Sequence, residues 1–146
     1  MNLGFKGQYG HSMDKKRRVS VPAKMRNKLG ERVVVTKEVD RCLIVYPIEQ
    51  WEEKIAHLQN MTTTKREARA TARFKIAGAA ELEIDKLGRV LLPQYLTEFA
   101  GIKKDVKILG LGNRIEFWDE KKWEVYNKKI EKEMPDLVEK LEASGV

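Results

Sequence analysis

Asp14-Lys15-Lys16-Arg17-Arg18-Val19-Ser20-Val21-Pro22 is matched 71 residues later by Asp85-Lys86-Leu87-Gly88-Arg89-Val90-Leu91-Leu92-Pro93. The same spacing sets Gly30 against Gly101 and pairs Ile44 and Tyr46 with Ile115 and Phe117; one residue further on, Trp51 meets Trp123. Agreement at several positions of one offset identifies two copies of a single unit, and two copies are too few for a solenoid.

Alternating apolar positions predict, in each copy, a strand ahead of the aspartate, a tight turn, and a second strand at Val19-Ser20-Val21 or Val90-Leu91-Leu92. The cations then sit at the tip of a hairpin. Pro22 and Pro93 fall where a proline opens a short helix, and Gly30 and Gly101 fall near its end. A second strand pair follows, Arg32 to Lys37 with Cys42 to Tyr46 in the first copy and Val106 to Gly110 with Arg114 to Trp118 in the second. The intervening Gly110-Leu111-Gly112-Asn113 reads as a hairpin turn; Ile115 occupies the third glycine position that a phosphate loop would need.

Each copy closes in helix. Trp51, Ile55 and Leu58 share one helical face, as do Trp123, Tyr126 and Ile130. Thr62 to Ala77 predicts a further helix stopped by Gly78, with Arg66, Arg69 and Arg73 as a stripe that is solvated or faces a subunit, a second DNA contact being the alternative. Pro135 is expected to end or kink the last helix, leaving Leu137 and Leu141 on a short terminal one. One unit is too small to bury its own apolar faces. The expected fold is therefore mixed α+β and β-rich, with units 1–78 and 79–146 interlocked into one pseudo-symmetric barrel flanked by helices.

Charge narrows the choice of partner. The chain of 146 residues carries +7, and its first 46 residues hold eleven Lys/Arg against four Asp/Glu, whereas residues 81 to 146 hold twelve against fourteen. A local cationic excess favours a polyanion. Membrane binding fits less well: the apolar runs are far short of the roughly 20 residues that span a bilayer, and only Thr62 to Ala77 approaches a basic amphipathic helix. Met1 to Asp14 has no apolar signal region, so a cytoplasmic chain is expected. Cys42 is the single cysteine, and with only His11 and His57 to join it a zinc site lacks ligands. No serine lies in a nucleophile elbow and neither histidine has an acid partner at useful spacing, so no catalytic residue, cofactor or small-molecule substrate is expected.

The opening Phe5-x-Gly7, the Asp-x-x-x-Arg-x-x-x-Pro present in both copies, and an aromatic residue before Trp51 and Trp123 together resemble the MraZ family, over the chain to about Ile130. The resemblance implies a swapped-hairpin barrel of the AbrB superfamily, assembled into a closed, octamer-like homo-oligomeric ring. It also implies a nucleoid-associated transcriptional regulator, expected to repress, that binds tandem direct repeats in the promoter of the cell-division and cell-wall gene cluster. Lys16, Arg18 and Arg89 occupy the positions of the family's DNA contacts. Arg17 departs from the pattern, standing where the family has glycine, while Gly88 keeps it.

The residue chemistry agrees with duplex DNA. Lys15, Lys16, Arg17 and Arg18 would grip phosphates with strong salt dependence, and Arg18 has the planar fork for a bidentate contact to guanine O6 and N7. Lys86 and Arg89 are their counterparts. Asp14 and Asp85 are repelled by DNA and are expected to order the turn by accepting backbone N–H groups, with Gly88 supplying its conformational freedom. If the turn demands a positive φ, Arg17 costs on the order of 1 kcal/mol there, offset by a phosphate contact. No aromatic side chain is interleaved with these cations, as a single-strand or RNA binder would require. The alternatives are another AbrB-type regulator such as an antitoxin, which would carry one copy of the motif, and an RNA-binding protein.

Overall fold

The computed structural model describes residues 2–61 and 64–145. The first copy contributes β1 (Gln8–Ser12), β2 (Arg18–Ser20), α1 (Ala23–Leu29), β3 (Arg32–Lys37), β4 (Leu43–Pro47), α2 (Ile48–Gln59) and α3 (Arg66–Lys75). The second contributes β5 (Ala80–Glu83), β6 (Arg89–Leu91), α4 (Gln94–Ala100), β7 (Asp105–Gly110), β8 (Ile115–Asp119) and α5 (Glu120–Ala143). Strand and helix positions follow the sequence pattern closely. Thr62, where the third helix was expected to begin, lies outside the described residues, and α3 starts at Arg66.

The two copies interleave. Six strands form one antiparallel sheet in the order β1-β7-β8-β4-β3-β5, and β2 and β6 form a separate two-stranded ribbon. β1 pairs with β7, β5 with β3, β4 with β8 and β2 with β6, so every copy depends on the other for its strand partners. Two expectations are corrected here. The strands on either side of each basic loop do not form a regular hairpin with one another: β1 and β5 join the large sheet and β2 and β6 the ribbon, and across the second loop a single bridge links Ile84 with Val90. Cross-copy pairing sets Val19 directly opposite Val90, with both fully buried. The sheet is also open, ending in β1 and β5, and not a closed barrel of strands.

Apolar residues from both copies form one cluster, including Val19, Met25, Val35 and Val45 from the first and Val90, Leu96, Val106 and Phe117 from the second. Its register corrects the repeat alignment. Leu43 and Val45 join Ile115 and Phe117 in this cluster, whereas Ile44 and Tyr46 lie on the opposite sheet face with Val34 and Trp51. The extra residue of the second copy therefore lies ahead of β8, not behind it. Alternation along a strand makes a one-residue shift visible as a change of face.

Prolines 22 and 93 stand one position outside their helices, as N-caps. The helix α5 passes straight through Pro135 as a 24-residue element. Pro135 removes one hydrogen bond, and the stretch from residue 131 onward is exposed, so the freed carbonyl faces solvent. Near its start α5 packs Trp123 and Tyr126 against Trp118, Leu109 and Cys42. Among the described residues no helix is long and apolar enough to cross a membrane.

Because the core is shared, the copies should unfold together. Phe117→Ala is expected to lower stability by about 3–5 kcal/mol. Guanidinium denaturation followed separately through Trp51, and through Trp118 with Trp123, should give one coincident transition; two separated transitions would show independent units.

Candidate nucleic-acid interface

Each basic loop is built around its aspartate. The Asp14 N–H donates to the Arg18 carbonyl at 3.0 Å, and the Arg17 N–H donates to the Asp14 carbonyl at 3.0 Å. One carboxylate oxygen, Oδ1, accepts the N–H groups of Lys16 and Arg18, both at 2.9 Å, while Oδ2 accepts Nε of Arg18 at 2.6 Å. The second copy repeats this arrangement. Asp85 Oδ1 accepts the N–H groups of Leu87 and Arg89 at 2.9 Å, and Oδ2 accepts Arg89 Nε at 3.0 Å. The Arg18 N–H bond, with the guanidinium beside it, holds the Asp14 carboxyl below the usual aspartate range, and Arg89 does the same for Asp85. Both carboxylates stay charged at neutral pH, and both arginines are held by one edge.

The ribbon decides where those arginines face. Its register pairs Arg18 with Leu91, Val19 with Val90 and Ser20 with Arg89. With both valines buried, alternation puts Arg18, Ser20, Arg89 and Leu91 together on the outer face. Lys15 and Lys16 are exposed on the adjoining loop, and Lys86 is exposed on its counterpart. Among the described residues, the terminal nitrogens of Arg18 have no hydrogen-bond partner, which leaves them free for an incoming acceptor.

Arg17 has a structural explanation. Its φ is 63° and that of Gly88 is 78°, so the turn demands a left-handed residue in both copies. At the second-copy turn the guanidinium of Arg26, from α1 of the first copy, lies over Gly88 and donates through Nε to the Val21 carbonyl at 2.8 Å. At the first-copy turn the equivalent carbonyl, that of Leu92 from the second copy, accepts Nε of Arg17 at 3.0 Å. Arg26 has Thr97 as its counterpart at the repeat spacing. Each end of the ribbon therefore has one guanidinium on one strand-exit carbonyl, and both come from the first copy, one from its turn and one from its helix. The contact offsets the cost of a non-glycine residue at positive φ. Sequence reasoning assigned this role to a phosphate; the joint exchange of Arg17 for Gly88 and of Arg26 for Thr97 was the signal that identifies it.

The two loops differ in character. Where the first copy has Lys16, Ser20 and Lys24, the second has Leu87, Leu91 and Tyr95, all three substantially exposed. Beside the second loop, Glu81 and Glu83 are both held by Arg32 at 2.8 Å, whereas the first copy has Gly10 and Ser12 at those positions. The cationic potential is concentrated at the first loop. Cys42 is buried, and burial pushes its thiol pKa up, which leaves it unreactive. Among the described residues no three His, Cys, Asp or Glu side chains gather as a metal would require.

Comparison with known proteins matches the chain to the family model "MraZ protein, putative antitoxin-like" over residues 5–74 and 76–141, one match on each copy. It is 44% identical to the transcriptional regulator MraZ of Acetivibrio thermocellus, over 97% of this chain and 99% of that protein. Against the protein of the same name from Thermoanaerobacter pseudethanolicus the identity is 46%, over 96% and 98%.

The guanidinium exchange makes a testable pair. Gly88→Arg should destabilise the protein by more than about 1 kcal/mol, because it adds both left-handed strain and a collision with Arg26. Adding Arg26→Thr should recover a substantial part of the loss in thermal denaturation. Equal melting temperatures for the single and double variants would contradict the exchange.

Proposed function

The chain belongs to the MraZ family and is a transcription regulator, and from that premise we propose that it binds duplex DNA through the first loop and the outer face of the β2–β6 ribbon. The observation that carries the reading is the aspartate-held arginine standing beside free lysines on an exposed ribbon face. A two-stranded ribbon fits the major groove. Lys15 and Lys16 supply phosphate affinity, and Arg18, fixed by Asp14, presents its terminal nitrogens to a guanine edge. Arg17 spends Nε on Leu92 and reaches a phosphate only through its remaining nitrogens. Arg89 occupies the matching place on the other strand, and Lys86 adds one cation near it. The exposed leucines and flanking glutamates make that end the weaker contact.

The physiological target in this reading is a set of tandem direct repeats in the promoter of the cell-division and cell-wall gene cluster, at which the protein represses transcription as a nucleoid-associated cytoplasmic regulator. Several linked protomers in a ring would gain avidity on regularly spaced repeats. The interleaved strands support the interlocking of two units that the family resemblance implies.

Fluorescence anisotropy with duplex from the protein's own upstream region, measured at several salt concentrations, tests the reading. Arg18→Ala should weaken specific binding roughly 5- to 150-fold, equivalent to about 1–3 kcal/mol, and Arg89→Ala should weaken it less. Lys15→Ala should weaken all duplexes alike and reduce the salt slope by about one. Unchanged affinity in both arginine variants would remove the loop from the interface.

Asp14→Asn separates loop order from simple charge. Loss of a negative charge alone would tighten binding, whereas loss of the clamp on Arg18 should reduce the ratio of specific to non-specific affinity. The same sign governs pH: a lowered carboxyl pKa means the clamp is complete above the ordinary aspartate range and is lost as pH falls through the lowered value. A specificity ratio in Asp14→Asn equal to or above wild type would overturn the clamp.

A further inference from the structure

The end of α5 carries an apolar face with nothing packed on it. Met134, Leu137, Val138 and Leu141 recur at the spacing of one helical stripe, each between 37 and 53% exposed. Every residue from 131 to 143 is exposed, so this segment does not fill any cleft of its own chain.

The same chain holds a complementary surface. Between α2 and α3 runs an apolar groove of about 570 Å³, with Trp51, Ile55, Leu58 and Ile76 among its lining residues. The charges of stripe and groove lining are opposite. Lys54, Lys65 and Lys75 line the groove against Glu67 alone, whereas Glu131 to Glu142 holds five Asp/Glu and two Lys. A helix presenting anchors at i, i+3, i+4 and i+7 is the usual occupant of such a groove.

We propose that the α2–α3 groove of one copy receives the end of α5 from a second copy. The groove is lined by residues of the 51–76 stretch alone and α5 packs on β7 and β8, so two different surfaces meet and the contact is head to tail; repeated around an axis it closes into a ring. Four apolar side chains leave water in this docking, and the acidic flanks of α5 lie along the cationic α3. The inference rests on the reading of the protein as a homo-oligomer and is independent of the DNA interface.

The test measures the mass of the full-length protein by analytical ultracentrifugation, for wild type and for Leu137→Asp combined with Leu141→Asp. Both changes fall on exposed helix, and far-UV circular dichroism checks that the fold persists. Wild type should sediment as a closed assembly and the double variant as a single chain. A second measurement uses mild oxidation of a variant carrying Leu58→Cys with Leu141→Cys; the native Cys42 is buried and does not compete. Chains should link into a ladder in this protein and in neither single-cysteine variant. A double-aspartate variant that keeps the wild-type mass overturns the interface and leaves the assembly standing. Self-linking by Leu141→Cys alone overturns it in favour of symmetric α5 pairing, and wild type running as a single chain overturns interface and assembly together.

Discussion

Two strands of three residues, Arg18–Ser20 and Arg89–Leu91, pair with each other across the repeat, and the shape of the protein follows from that pairing. A ribbon so short has no independent stability. It holds because Val19 and Val90 meet on its inner side and are fully buried, and because each turn backbone is tied into the other copy: the Leu92 N–H donates to the Arg17 carbonyl and the Val21 N–H to the Gly88 carbonyl, both at 2.8 Å. Once the ribbon is fixed, the preceding strands must leave for the large sheet, and each copy must borrow its partners there from the other. Duplication within one chain keeps the two halves present at equal concentration.

The same constraint builds the interface. An aspartate at the start of each turn binds two backbone N–H groups with one oxygen and a guanidinium edge with the other, so folding of the turn and placement of the arginine are one event. The inner face of the ribbon is apolar and its outer face is left to Arg18, Ser20, Arg89 and Leu91. Internal duplication also lets the two ends diverge, with cations gathered at one loop and leucines at the other. In the proposed reading, a face of this kind would have a direction along DNA.

Much of this was legible in the sequence. The repeated Asp-x-x-x-Arg-x-x-x-Pro located both turns and the strand after each, because turn chemistry and alternation are local signals. The lengths of β3, β4, β7 and β8 were readable for the same reason. What escaped was non-local. That β1 and β2 part company depends on partners in the other copy, and no feature of residues 8 to 20 encodes it. The role of Arg17 needed Leu92, Arg26 and Thr97 to be seen at once. Ile44 and Tyr46 appeared to match Ile115 and Phe117 because both are apolar pairs, and burial alone distinguished their faces. Pro135 looked like a break because propensity takes no account of how freely an exposed carbonyl can turn to solvent.

The central claim is that Arg18, clamped by Asp14, reads a guanine edge. Methylation interference measures this most directly: duplex premethylated at guanine N7 is partitioned into bound and free fractions with wild type and with Arg18→Ala. The account requires at least one guanine per repeat whose methylation excludes wild type and has no further effect on the variant. An identical interference pattern for the two proteins would contradict it.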